Sequence, residues 1–261
     1  MDELRGQVFL ATLPLIIARL TPIVIFTPLF GGAAASRRFR TGVVLALGIA
    51  FAIMLSRPGA PALPTGLEYA LLVAKEAMIG AVFAVFLIFA FQIAASVGAL
   101  IDLGRGASIA TALDPMTKQQ TPVTGTMLLM LLVTAFVSLG GYFFVFDALA
   151  TSFVSMPISV LEPSGLTQGN LGRAALTTFG TFFELTIRLA APVLVVVLLI
   201  DVGLGLINRV TPQIQVFFLG ITVKGWIGLA VLLLALGVAM GEMNAWITGT
   251  LNVAMRALGG A

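Results

Sequence analysis

Two long stretches of the chain, Ala77–Ile101 and Gln119–Phe146, contain not one charged residue. A helix needs about 20 predominantly apolar residues to cross the hydrocarbon of a bilayer, and both stretches exceed that length. In lipid a backbone can satisfy its hydrogen bonds only as a helix or a closed barrel, and continuous apolar runs are the helical pattern. The chain therefore reads as an all-α integral membrane protein. Composition agrees: 59% of residues are hydrophobic and 10% charged, where a soluble domain would carry about a quarter.

The remaining apolar segments are less regular. Val8–Phe30 holds Pro14, Pro22 and Pro28 together with Arg19, which predicts a broken or kinked helix. Gly42–Leu55 ends at Ser56-Arg57-Pro58-Gly59 and is short for an independent span, so it is expected to be half-height, re-entrant or packed on a neighbour. Ala174–Ile207 is interrupted by Glu184, Arg188, Pro192 and Asp201, and Gly225–Gly241 is free of charge. This makes about six hydrophobic segments, some not full spans. The connectors are too small for a soluble domain, and residues 1–261 are expected to form a single membrane-embedded domain.

Several function classes fall away. Cys and His are absent, which excludes disulfides, a thiol nucleophile, a histidine base and a Cys/His metal site. No catalytic residue, metal or cofactor is expected. The 14 basic residues are scattered, with only Arg37, Arg38 and Arg40 clustered, which is not the footprint of a nucleic-acid binder. Ala33-Ala34-Ala35 resembles a signal cleavage site, but Asp2, Glu3 and Arg19 precede it, and the first segment is read as a mature membrane helix. Basic residues divide too evenly between the two sides to set orientation.

Charges inside apolar segments are costly and mark candidate sites. Glu184 and Arg188 stand at i and i+4 in the favourable order for an ion pair. They form either a self-neutralising structural pair or an ion relay. Asp147 and Asp201 have no opposite charge within one turn in sequence. Between the two clearest segments lies an unusually long connector. It opens with the i, i+3 pair Asp102 and Arg105, continues through Gly104, Gly106, Ala107, Ser108 and Ala110, turns at Asp114-Pro115 and ends in Gln119-Gln120-Thr121-Pro122. Its small side chains suit a re-entrant element that packs tightly and moves with little steric resistance. A third group, Asn208-Arg209 to Pro212-Gln213, followed by Phe217 and Lys224, reads as a hairpin turn whose Arg and Gln could bond neighbouring subunits.

In order and spacing these motifs resemble the T-type export-apparatus family of bacterial type III secretion systems and its flagellar FliR relatives. The resemblance rests on Asp102-x-x-Arg105-Gly106-Ala107-Ser108, Asp114-Pro115 and Gln119-Gln120-Thr121-Pro122-x-x-Gly125, with Arg19, Pro28-Leu29-Phe30-Gly31-Gly32 and Arg37-Arg38-x-Arg40 before them. Gly140-Gly141, Ala191-Pro192, Asn208-Arg209-x-x-Pro212-Gln213 and Lys224 continue it. It implies bent helical hairpins in the wall of a protein-conducting pore of the bacterial inner membrane, assembled with P/R-type and Q/S-type subunits above a cytoplasmic gate protein. It also implies that the loop Gly104–Thr121 plugs the pore until a protein substrate passes, and that Asp102, Arg209, Pro212, Gln213, Phe217 and Lys224 meet other subunits. Arg105-Gly106, Gln119-Gln120-Thr121 and Gly140-Gly141 favour the injectisome branch, while Ser152-Phe153 and Met156-Pro157 lean to the flagellar one. The rival of another class is a small ion-coupled secondary transporter using Glu184, Arg188, Asp147 and Asp201.

Overall fold

The computed structural model describes residues 2–31, 35–55, 64, 66–106, 122–160, 170–211 and 216–259. These form seven α-helices: α1 (Asp2–Phe26), α2 (Arg37–Leu55), α3 (Leu67–Arg105), α4 (Val123–Ser138), α5 (Tyr142–Ser155), α6 (Asn170–Val210) and α7 (Val216–Gly259). A short 3-10 turn, Pro28–Phe30, follows α1. Five of the helices are long and apolar enough to cross a membrane, and α4 with α5 makes a sixth candidate, bent by 75°. No strand occurs among the described residues. The protein is an all-α, multi-pass membrane protein.

Three segments refine the sequence expectation. The proline-bearing first segment runs as helix through Pro14 and Pro22 to Phe26 and is broken before Pro28, where Thr27 is extended and the 3-10 turn begins. Pro14 and Pro22 withhold the amides that the Leu10 and Ala18 carbonyls would accept from, a loss that membrane helices tolerate; the hydroxyls of Thr12 and Thr21 donate to other carbonyls nearby, those of Phe9 and Ile17. The apparently short second segment packs on a neighbour, α1, as one of the expected options had it, but it begins at Arg37 and reaches 19 residues, because arginine is a good helix former whose apolar stem extends the run while its head reaches the interface. Conversely, the apparently unbroken run Gln119–Phe146 is divided. Leu139 closes α4 by donating to the Ala135 carbonyl, and Gly140 takes φ +76°, a left-handed value that glycine adopts at little cost.

The chain divides into two compact units, Met1–Ala90 with Gly140–Thr178 and Ile247–Ala261, and Phe91–Leu139 with Phe179–Trp246. The first unit buries Leu15, Ile16, Leu20 and Ile23 of α1, Ile79, Phe83 and Leu87 of α3, and Val145, Leu149 and Phe153 of α5. Its helices meet at small residues. A Cβ at Gly48 would stand 3.0 Å from Ile17 Cγ1, and one at Gly80 would overlap the Arg19 carbonyl oxygen. The backbones of α1 and α3 therefore touch at Gly80, a close approach that only glycine permits.

The second unit buries Phe91, Ala94, Val97 and Ile101 of α3 and Leu128, Leu132 and Phe136 of α4. Phe91 and Phe136 meet edge to face at 5.3 Å between centroids. Here α3 and α4 cross at a glycine pair. A Cβ on Gly98 would overlap the Gly125 backbone, and one on Gly125 would come within 2.6 Å of the Ala95 carbonyl oxygen. Helices α6 and α7 carry a different surface: Leu198, Leu199, Val202, Leu206, Trp226, Leu234 and Val238 are largely exposed.

Gly80→Val should cost about 3 kcal/mol by forcing α3 off α1. Gly180→Ala, where nothing lies within 4 Å of the added carbon, should be neutral or stabilise by about 0.5–1 kcal/mol. Denaturing-detergent titration of the purified chain measures both, and equal stability of the two variants would remove the role assigned to Gly80.

Candidate functional site

The base of the long connector is built from α3, α4 and α7. Asp102 and Arg105 lie one turn apart at the end of α3, which closes at Gly106 with φ +78°. Arg105 Nη2 donates to Asp102 Oδ1 at 2.6 Å and to Thr124 Oγ1 at 2.6 Å. The Thr124 amide, in the first turn of α4, donates to Asp102 Oδ2 at 2.9 Å, and its hydroxyl to Asp102 Oδ1. One carboxylate thus caps the start of α4, where unpaired amides and the helix dipole favour negative charge. It also neutralises the arginine. The Arg105 side chain runs across Gly228 of α7, where a Cβ would stand 2.6 Å from its Cδ, and Nη1 reaches the Gly225 carbonyl at 3.5 Å. Gly104 faces Leu194 of α6. Residues 106 and 122, the two ends of the connector, are held by one buried ionic cluster.

A second cluster lies inside the first unit. Arg19 of α1 is 1% exposed and Glu76 of α3 0%. Nε of Arg19 donates to Glu76 Oε2 at 2.5 Å, Nη1 to the Ser152 carbonyl at 2.9 Å, and Nη2 to the Met156 carbonyl at 2.9 Å. The guanidinium lies 4.2 Å from the Phe153 ring centroid, a contact worth about 2 kcal/mol when desolvated. Lys75 Nζ stands 2.7 Å from Glu76 Oε1 and donates to the Pro157 and Val160 carbonyls. One carboxylate serves two buried cations, and the carbonyls at the end of α5 absorb the excess. Arginine suits this place because its planar fork satisfies several acceptors at once.

The other charges are more exposed. Arg188 does not pair with Glu184. Its Nη2 meets Glu242 Oε1 of α7 at 3.2 Å, with 64% and 39% of the two side chains exposed. Glu184 is exposed on α6. Lys224 Nζ meets Asp201 Oδ1 at 2.9 Å, so α6 and α7 form an antiparallel hairpin with two ion-pair rungs. Asp147 is exposed on α5 and lines an apolar hollow with Phe51, Met54, Phe143, Phe144 and Phe146.

Of the connector residues expected in the plug, Gly104, Arg105 and Gly106 are placed at its base. Ala107, Ser108, Ala110, Asp114, Pro115, Gln119, Gln120 and Thr121 lie outside the described residues, as do Pro212 and Gln213. Phe217 is in the first turn of α7 and Arg209 is exposed in the last turn of α6. Among the expected subunit contacts, Asp102 is buried and engaged within the chain, because it is needed to cap α4, and Lys224 is engaged by Asp201. Sequence reasoning missed Glu76 and Ser152 as partners of Arg19. The available signal was an arginine inside one apolar segment and the adjacent Lys75-Glu76 at the margin of another.

The two buried clusters tie helices together and end on backbone carbonyls and caps. Such a fold defines a multi-pass helical membrane protein. Residues 10–249 match the family model for bacterial export proteins, family 1, and the chain belongs to this family, the one its ordered motifs resemble. It is 27% identical over 227 residues to flagellar biosynthetic protein FliR of Bacillus subtilis (strain 168), covering 86% of this chain and 85% of that protein. It is 32% identical over 154 residues to Yop proteins translocation protein T of Yersinia pestis, covering 59% and 58%. A third relative is surface presentation of antigens protein SpaR of Salmonella typhimurium (strain LT2), 27% identical over 218 residues that cover 83% and 80%.

Glu76→Gln leaves Arg19 and Lys75 buried without a counter-charge and should cost about 3–5 kcal/mol, part of which Arg19→Met recovers in the double variant. Denaturing-detergent titration reads both; additive losses would show that the pair is not coupled. At the connector base, Thr124→Val should cost about 1–3 kcal/mol by leaving the Asp102 carboxylate short of a donor. The same change in an Asp102→Asn background should cost measurably less in a double-mutant cycle, and an unchanged cost would rule out the shared cluster.

Proposed function

We propose that the chain is a structural, non-catalytic subunit of a type III protein-export apparatus in the bacterial inner membrane. The whole chain acts as one wall element, joined by P/R-type and Q/S-type subunits, above a cytoplasmic gate protein, and exported proteins pass along it. The loop Gly104–Thr121 serves as the plug. The observation that carries this reading is the Asp102–Arg105–Thr124 cluster, which anchors both ends of the connector. A segment tethered at both ends by charge-assisted bonds can be displaced by a passing polypeptide and return to the same place, because its anchors are worth more than neutral hydrogen bonds. The exposed apolar faces of α6 and α7 supply surface for neighbouring subunits.

The injectisome branch is favoured by Arg105-Gly106, Gln119-Gln120-Thr121 and Gly140-Gly141, and the Yersinia translocation protein, 32% identical over 59% of this chain, is compatible with it. A flagellar role is the second reading, supported by the match to the Bacillus protein over 86% of this chain.

Co-expressed with P/R-type and Q/S-type subunits, the chain should co-purify with them in one complex. Excision of residues 107–121 that leaves the complex intact should raise ion conductance across the membrane at least about tenfold. Unchanged conductance would overturn the plug role. Alone in liposomes the chain should take up no solute, and gradient-coupled uptake of a specific solute would favour a transporter instead.

A further inference from the structure

The densest positive charge in the chain lies where no acid is near. Arg37, Arg38 and Arg40 open α2, and no Asp or Glu occurs between Glu3 and Glu68. Among the described residues none of the three is in an ion pair. Beside them, between α1 and α2, is a cavity of about 440 Å³ lined by Ile17, Thr21, Ile25, Arg37, Arg40, Thr41, Val44 and Leu45. The Arg40 side chain is half-buried, and its Nε is buried with no hydrogen-bond partner among the described residues. A buried guanidinium nitrogen left unpaired is costly and calls for an acceptor.

The cavity has polarity along its length. Its cationic end is the first turn of α2, at the edge of the Arg37–Leu55 membrane segment, the depth at which arginine heads reach the interface. Its walls then run inward along Ile25, Val44, Ile17 and Leu45, about 12 Å from Arg37 to Leu45 at 1.5 Å per residue. An anion is wanted at the interface and a hydrocarbon chain directly beneath it. A soluble anion would leave the apolar walls unfilled, and a neutral chain would leave Arg40 unpaired.

We propose that this cavity is a binding site for one anionic phospholipid, its phosphate between Arg37 and Arg40 and one acyl chain against Ile17, Val44 and Leu45. The N-terminus of α2 adds a favourable dipole to the two guanidinium charges. Arg38 belongs to the same charge cluster but does not line the cavity, which separates a built site from general attraction to an anionic surface.

The test uses the full chain purified from membranes in mild detergent, with bound lipid counted by native mass spectrometry. Phosphatidylglycerol and phosphatidylcholine with the same acyl chains are compared, with inorganic phosphate as competitor. One phosphatidylglycerol should be retained at least about tenfold more strongly than phosphatidylcholine. Arg37→Gln and Arg40→Gln should each weaken it about fivefold, in line with the contribution of one basic residue to binding an anionic lipid surface. Arg38→Gln should leave it within about twofold, Arg40→Lys should retain most of it, and Leu45→Trp, which fills the apolar end without touching charge, should displace it. The site is overturned if Arg38→Gln weakens binding as much as Arg40→Gln, if both lipids bind equally, or if Leu45→Trp leaves retention unchanged. Displacement by inorganic phosphate would identify a free-anion site instead.

Discussion

The structure hangs on two carboxylates buried in one apolar helix. Charge in such a setting is tolerated only when it is fully paired, and pairing needs a partner helix close enough to deliver a cation or an amide. On α3 each acid stands one turn from a glycine at which another helix makes backbone contact. Glu76 is four residues before Gly80, where α1 crosses and brings Arg19. Asp102 is four residues after Gly98, where α4 crosses and brings the Thr124 amide. Residues four apart share a face of a helix, so the small residue that admits the neighbour and the acid that binds it act together. The glycine without the acid would allow many crossings. The acid makes one of them favourable.

In a membrane this matters more than in water, because apolar side chains gain little from leaving lipid for protein. Van der Waals packing at Gly48, Gly80 and the Gly98–Gly125 pair and the ionic clusters therefore carry much of the specificity. The arrangement also explains why the described contacts of the clusters end on backbone groups, such as the carbonyls of Ser152, Met156, Pro157 and Val160. These are the end of α5 and the chain just after it, which need donors once the helix stops. A buried cation there satisfies the charge and the helix terminus at once.

Helices α6 and α7 follow another rule. Their two ion pairs, Arg188–Glu242 and Asp201–Lys224, lock a long hairpin, yet much of its apolar surface is open. Both helices exceed 40 residues, about twice what a bilayer crossing requires. The open apolar surface of this hairpin therefore extends beyond the length of one bilayer crossing.

Much of the fold was legible in the sequence. Charge-free runs announce membrane helices because the bilayer penalises every exposed polar group, and the i, i+3 spacing of Asp102 and Arg105 announced their pair. The ordered motifs announced the family. What sequence could not decide was which local signal would win. Pro14 and Pro22 lie inside one helix held by the packing around α1, and the break in that segment comes at Thr27, before Pro28, whereas the apparently clean run through Leu139-Gly140-Gly141 bends by 75°. Glu184 and Arg188 are four residues apart on one helix, but the arginine turns to Glu242, 54 residues away. The sequence alone determined that charges such as Arg19 had to be paired. Only the tertiary structure decided with what, since a partner 57 residues away on another helix is chosen by where a glycine lets two backbones meet.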